Sequence, residues 1–268
     1  MSNISKTFRD CLASGRAVLI GYLTAGDPSL EQTRIYAEAL VEGGVDVLEL
    51  GVPFSDPVAD GVTIQASAQR ALAAGTKLQD ILQLASTIRK ALATPIVILS
   101  YLNPIHRMGF RKFFEEASSA GVDGVVIPDL PVEESTSFRE EAKRAGMDTI
   151  FLASPTTSDN RLDQILKASQ GFVYLVSLLG VTGVRRELSS EALRILERVK
   201  NRRERPYVAV GFGVSSPEHV TILVKGGAEG VIVGSALVKI VEENLGNPSK
   251  CSEQLRSFAT KLKESTSL

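Results

Sequence analysis

Short runs of consecutive apolar residues recur along the chain, separated by amphipathic stretches of helical period. The runs share one punctuation. Gly43-Gly44-Val45-Asp46 precedes Val47-Leu48-Glu49-Leu50, and Gly121-Val122-Asp123-Gly124 precedes Val125-Val126-Ile127. Gly146-Met147-Asp148 precedes Thr149-Ile150-Phe151-Leu152, and Gly226-Gly227-Ala228-Glu229-Gly230 precedes Val231-Ile232-Val233. Glycine suits the position after a helix because it takes positive φ without a Cβ clash. Runs that are apolar throughout suit parallel strands covered on both faces better than half-exposed antiparallel ones.

Adding the runs 17–22, 96–101, 172–176 and 207–210 brings the strand count to eight. The spacing predicts helices over 30–41, 78–92, 110–119, 133–145, 189–200, 217–224 and 236–244. An extra helix is predicted at 2–13, before the first strand, and a closing helix at 249–262. Residues 263–268 are expected to fray. Eight βα units predict an α/β fold, a (β/α)8 TIM barrel with an extra N-terminal helix. An open doubly wound sheet is the alternative. No linker or charge block divides the chain, so residues 1–268 are expected to form one domain. In a barrel, chemistry sits at the C-terminal ends of the strands and in the loops after them.

Length supports this reading, since 268 residues is ordinary for a barrel of typically ~250. The chain carries 30 basic and 31 acidic residues, a net charge of -1, which argues against a polyanionic partner. Nucleic acid and anionic membranes are therefore not expected. Cys11 and Cys251 lie too far apart in sequence to make a disulfide framework, and a reducing compartment is expected. The first residues hold no apolar signal core, and no run approaches the ~20 apolar residues of a membrane span. A cytoplasmic location is the expectation.

Glu49 stands near the end of the second strand, inside an apolar run. Burying it ionised is costly. Either it pairs with a cation or points out at the barrel mouth, or it is a desolvated acid able to exchange protons near neutrality. The loop that follows, 51–61, adds Asp56 and Asp60. Turn chemistry accounts for one aspartate; two, together with Glu49, exceed that need. Glycines recur after strands six, seven and eight, in Gly180-Val181-Thr182-Gly183, Gly211-Phe212-Gly213 and Gly234-Ser235. Barrels commonly hold a phosphate in the loops after strands seven and eight and at a helix N-terminus. There, glycine lets backbone N–H groups approach the anion, and Ser235 adds a hydroxyl. No strand-end lysine is placed for a Schiff base, which argues against imine chemistry. The only histidines, His106 and His219, form no metal-ligand motif, and no metal is expected.

The stretch 48–61, Leu-Glu-Leu-Gly-Val-Pro-Phe-Ser-Asp-Pro-Val-Ala-Asp-Gly, closely resembles the tryptophan synthase alpha subunit family. So do Pro128-Asp129-Leu130-Pro131, Gly180-Val181-Thr182-Gly183 and Gly211-Phe212-Gly213, and element order matches over nearly the whole chain. The resemblance implies retro-aldol cleavage of indole-3-glycerol phosphate to indole and glyceraldehyde 3-phosphate. It implies Glu49 as the general acid/base, and Asp60 as acceptor from the indole N–H. Tyr22, Ile64, Leu99, Tyr174 and Phe212 are candidates for an apolar indole slot, with barrel packing as their other reading. Tyr101, Asp129 and Thr182 match family positions near the substrate. The phosphate falls to Gly183, Gly213, Gly234 and Ser235. The family further implies an α2β2 assembly, with Pro53, Asp56 and Pro57 facing the beta subunit. No cofactor is expected in this chain; pyridoxal phosphate would belong to that partner.

Two positions depart from the family. Val62 stands where a proline is common, which implies a less restrained loop after Asp60. Leu178-Leu179 stands where many members carry polar or charged residues, which implies different closing contacts. Two other readings compete with the lyase. One is another phosphate-binding barrel enzyme, which would share the glycine loops without needing Glu49 and Asp60. The other is a scaffold acting mainly through its partner.

Overall fold

The computed structural model describes residues 1–176, 188–202, 204–211 and 213–268, with backbone only at 188–191. Its strands are β1 (Val18–Thr24), β2 (Val47–Gly51), β3 (Ile96–Leu99), β4 (Gly124–Val126), β5 (Asp148–Ile150), β6 (Leu152–Ala153), β7 (Phe172–Val176), β8 (Tyr207–Gly211) and β9 (Gly230–Val233). All pairings are parallel, in the order β5-β4-β3-β2-β1-β9-β8-β7-β6. The two ends of that order are two pieces of one run, parted at Phe151. β5 pairs with β4 and β6 pairs with β7, while the Tyr174 N–H donates to the Phe151 carbonyl at 3.0 Å. The fifth apolar run thus closes the sheet on itself, and the eight expected strands form the barrel rather than an open sheet.

The helices are α1 (Asn3–Ala13), α2 (Leu30–Glu42), α3 (Val62–Ala73), α4 (Leu78–Ala91), α5 (Leu102–Met108), α6 (Phe110–Ser119), α7 (Thr136–Arg144), α8 (Asp159–Ala168), α9 (Leu188–Lys200), α10 (Pro217–Lys225), α11 (Ser235–Glu243) and α12 (Pro248–Glu264). Three of these, α3, α5 and α8, lie outside the helices read from the pattern. In α8 the signal was available: Leu162, Ile165 and Leu166 are buried at helical spacing. In α3 the buried face is Ser67, Ala68 and Ala71, too small to register as an apolar stripe.

The terminal residues do not fray as expected. Thr266 is fully buried, and its carbonyl accepts from the Ala17 N–H at 2.8 Å. The Leu268 N–H donates to the Gly15 carbonyl at 3.0 Å. The chain end is pinned beside the entry to β1, where otherwise unpaired backbone groups need partners.

Two cores divide the strand residues by parity. Ala17, Leu19, Leu48, Leu50, Ile96, Ile98, Val173 and Leu175 pack toward the helices. Val18, Ile20, Tyr22, Val47, Val97, Leu99, Phe172 and Tyr174 fill the barrel. Helix α1 plugs the N-terminal end of this interior with Ile4 and Phe8, both fully buried. Phe8 stacks on Tyr207 at 5.0 Å and tilts against Phe172 at 5.6 Å. A Cβ on Gly230 would meet the Phe8 ring at 2.9 Å, and one on Gly124 would meet Ile4 at 2.8 Å. These two glycines make room for the plug. Cys11 and Cys251 lie in α1 and α12 and are unbridged. No helix among the described residues is long and apolar enough to cross a membrane.

Candidate active site

Glu49 has the same parity as Val47, so it projects into the barrel, two residues before β2 ends at Gly51. Tyr22 is its register partner on β1 and Val97 its partner on β3. Its side chain is 1% exposed, and its Oε2 has no hydrogen-bond partner among the described residues. Among the described residues, no cation offsets the burial. Desolvation, and then the negative charge of Asp60, push its carboxyl up to about 8. The ion-paired reading of Glu49 is therefore displaced by the desolvated one.

Asp60 reaches the same space from the loop between β2 and α3. Its N–H donates to the Pro57 carbonyl at 3.1 Å, and its carbonyl accepts from Gln65 Nε2 at 2.8 Å. Tyr101 holds its side chain. The Tyr101 hydroxyl donates to Asp60 Oδ2 at 3.1 Å and accepts from the Ala59 N–H at 2.9 Å. The Tyr101 ring stacks on Phe54 of the same loop at 5.2 Å. Burial raises the Asp60 carboxyl to about 6, against the lowering effect of the Tyr101 hydrogen bond. The two carboxyls thus separate, Glu49 favouring its proton and Asp60 its charge near neutral pH. Val62 is the first residue of α3, after the cap Gly61. Proline at that position would pre-set the backbone; here Gln65 and Tyr101 secure the preceding turn instead.

A cavity of about 520 Å³ collects these groups. Of the residues expected at the site, Tyr22, Glu49, Asp60, Ile64, Leu99, Tyr174, Gly213, Gly234 and Ser235 line it. Tyr101 stands behind Asp60 rather than in the wall. Asp129 is exposed and lines a neighbouring cavity, and its Oδ1 accepts from the Leu102 N–H at 2.8 Å, at the start of α5. Thr182, Gly183 and Phe212, and the Leu178-Leu179 departure, lie outside the described residues. The turn after β2 presents Asp56 outward, with Pro57 half-buried and Pro53 buried beneath. Val58 and Val62, 86% and 82% exposed, flank Asp60 at the cavity mouth.

The tyrosines depend on glycines that sequence reading took for loop residues. A Cβ on Gly51 would collide with the Tyr22 hydroxyl, and one on Gly211 would lie 2.6 Å from the Tyr174 hydroxyl. Gly211 therefore makes room for an aromatic wall rather than for a phosphate. Gly213 is different: its φ of 81° is one that glycine favours. Gly234 caps α11, a helix start whose first N–H groups have no intrahelical acceptor, and both Gly234 and Ser235 line the cavity. Sequence reasoning missed Val58, Thr63, Val176 and Ile232 in the wall, and the Ala59 N–H, a backbone group with no sequence signature. Among the described residues, no cluster of histidine, cysteine, aspartate and glutamate is arranged to hold a metal.

The cavity therefore collects an acid that favours its proton, an acid that favours its charge, apolar walls, glycine backbone and a helix N-terminus. The sequence profile described as tryptophan synthase alpha chain matches residues 8–267. A tryptophan synthase alpha chain from Methanoregula boonei is 48% identical over 93% of this chain and 94% of that protein. A chain of the tryptophan synthase a2b2 complex from the hyperthermophile Pyrococcus furiosus, solved for the basis of mutual activation in that complex, superposes with a TM-score of 0.86. It is 48% identical and covers 92% of this chain and 98% of its own. The tryptophan synthase subunit alpha from Legionella pneumophila superposes with a TM-score of 0.89 at 33% identity, over 99% of this chain and 98% of that one.

Proposed function

The chain belongs to the tryptophan synthase alpha chain family, and on that premise we propose that Glu49 and Asp60 divide the proton and charge work of its reaction. That reaction is the retro-aldol cleavage of indole-3-glycerol phosphate to indole and glyceraldehyde 3-phosphate in tryptophan biosynthesis, and the enzyme is a carbon–carbon lyase. The observation that carries the assignment is the buried, unpaired Glu49 facing the same cavity as the hydrogen-bonded Asp60.

Neutral Glu49 donates its proton to indole C3. The ring becomes cationic, and its N–H donates to the Asp60 carboxylate. Glu49, now charged in a desolvated site, takes the proton from the glycerol hydroxyl beside the breaking bond. That hydroxyl becomes the aldehyde, and the bonding pair returns to the ring and restores indole. Glu49 ends as it began. Tyr22, Ile64, Leu99 and Tyr174 supply the apolar slot, and Tyr101 keeps Asp60 aimed. Gly213, Gly234 and Ser235 bind the phosphate.

These roles fix a pH profile. Asp60 must be charged and Glu49 neutral, so kcat/KM should rise through about 6 and fall through about 8. A profile flat across that interval would remove the two-carboxylate division. Gly234→Val tests the phosphate subsite. A Cβ there meets only Tyr22 carbons at 3.6 Å or more, so folding should survive, while the isopropyl group intrudes on the anion. Inhibition by glycerol phosphate should weaken at least about tenfold; an unchanged inhibition constant would remove Gly234 from the subsite.

The partner is the beta subunit. Its docking face on this chain is the turn presenting Asp56 and Pro57, with Val58 and Val62 continuing it toward the cavity mouth. Among the described residues the cavity lining has no lysine of the kind that holds pyridoxal phosphate as a Schiff base; this reading gives that cofactor to the partner. The cytoplasm is the proposed location, in keeping with the reducing compartment expected for its two unbridged cysteines. The test of the whole reading is indole release from indole-3-glycerol phosphate by the purified chain, with and without beta subunit. Release that rises with the partner is expected; none in either case, with the chain folded, would overturn it.

A further inference from the structure

A line of buried oxygens runs from the cavity wall into α3. Tyr22 Oη lies 3.2 Å from Thr24 Oγ1, Thr24 Oγ1 lies 2.6 Å from Ser67 Oγ, and Ser67 Oγ lies 2.8 Å from the Ile64 carbonyl. Its direction follows from elementary valence. A carbonyl only accepts, so Ser67 donates to Ile64. Each hydroxyl has one proton, so Ser67 accepts from Thr24, and Thr24 accepts from Tyr22. Thr24 is 3% exposed and Ser67 fully buried, so each hydroxyl depends on the next for a partner.

The line ends in the first turn of α3. The adjacent residue, Gln65, donates its side-chain amide to the Asp60 carbonyl at 2.8 Å. Further along the helix, Arg70 binds both carboxylate oxygens of Asp27 at 2.8 Å. Helix α3 is thus fastened to the segment from β1 to Asp27 at two points, and the nearer one adjoins Asp60. The reaction scheme assigns no part to Thr24 or Ser67.

We propose that Ser67 is a positioning residue for the lyase: through Thr24 and Tyr22 it locks the first turn of α3 to the end of β1, and so holds Asp60 at its working place opposite the substrate ring. The proposal rests on the role given to Asp60 above. Tyr101, just beyond β3, fixes the Asp60 side chain, and Ser67, tied to β1 through Thr24, fixes its backbone. A displacement of ~1 Å at such a group can cost about 10²-fold in rate, so a partial release should cost less.

The test is a double-mutant cycle on kcat and KM with Ser67→Ala, Asp60→Asn and the two combined. Ser67→Ala alone should lower kcat about tenfold with KM little changed, since the phosphate loops lie on other strands. In the Asp60→Asn background, Ser67→Ala should cost nothing further. A double variant that loses the product of both factors would overturn the proposal and leave the Asp60 assignment standing. Wild-type kcat in folded Ser67→Ala would also overturn it. Wild-type kcat in Asp60→Asn would overturn both. Should Ser67→Ala not fold, Tyr22→Phe opens the line at its first donor without stranding a buried proton. It should then lower kcat in the wild-type background and not in Asp60→Asn; equal losses in both would overturn the proposal.

Discussion

Glu49→Gln is expected to lower indole release by at least about 10²-fold, the scale on which a general acid/base is lost, while the protein folds and gains stability at alkaline pH. The amide keeps the shape of the side chain and can neither donate a proton to C3 nor take one from the hydroxyl. The stability gain has a definite sign. The Glu49 carboxyl is raised from 4.5 to about 8, so across that interval the folded chain holds a proton that the unfolded chain has released. Stability contributed by Glu49 is present below 4.5 and lost as pH rises through about 8. Glu49→Gln lacks this loss, so its advantage in urea unfolding should grow from pH 5 to pH 9. Near-wild-type turnover would remove Glu49 from the chemistry. A stability difference independent of pH would show that its carboxyl is not desolvated in the folded chain.

Asp60→Asn should cost on the order of 10²-fold in kcat, comparable to removing one well-aimed electrostatic stabiliser. Glycerol phosphate should still bind. Asparagine can accept from Tyr101 and from an indole N–H, so what it removes is the charge opposite the cationic ring. The loops proposed to bind the phosphate follow β8 and β9, on other strands than the loop after β2. A second consequence follows from the coupling between the carboxyls. The Asp60 charge helps to raise Glu49, so its removal should move the alkaline limb of the rate profile to lower pH. An unmoved limb would show that the two groups do not share one field. Loss of folding would mark Asp60 as structural.

Much of this was legible in the chain itself. The glycine-then-apolar punctuation repeats because every βα unit has the same need: a residue tolerating positive φ after the helix, then a strand buried on both faces. Glu49 stood out because a carboxylate in such a strand is anomalous. The stretch after it matched the family closely enough to carry an identification, and the matches over residues 8–267 bear that out. The small-residue helix α3 was not legible, because a face of Ser67, Ala68 and Ala71 leaves no hydrophobic period to detect. The same gap hid the line from Tyr22 to Ile64, whose members Tyr22 and Ser67 are 45 residues apart.

The sequence by itself determined the strand count, the order of elements and the residue types at the strand ends, because these follow from local backbone preference and periodic burial. Only the tertiary structure decided which of those residues face one another. Closure through the split strand at Phe151 brings β7 round to β1 and β2, and so sets Tyr174 against Tyr22 and Glu49. The room that Gly51 and Gly211 leave for the two tyrosines, the unpaired state of Glu49 and the tether on Asp60 are all properties of that closure. Proton affinity depends on how much water and which charges surround a group, and that environment is assembled by contacts between elements, not by any stretch of chain.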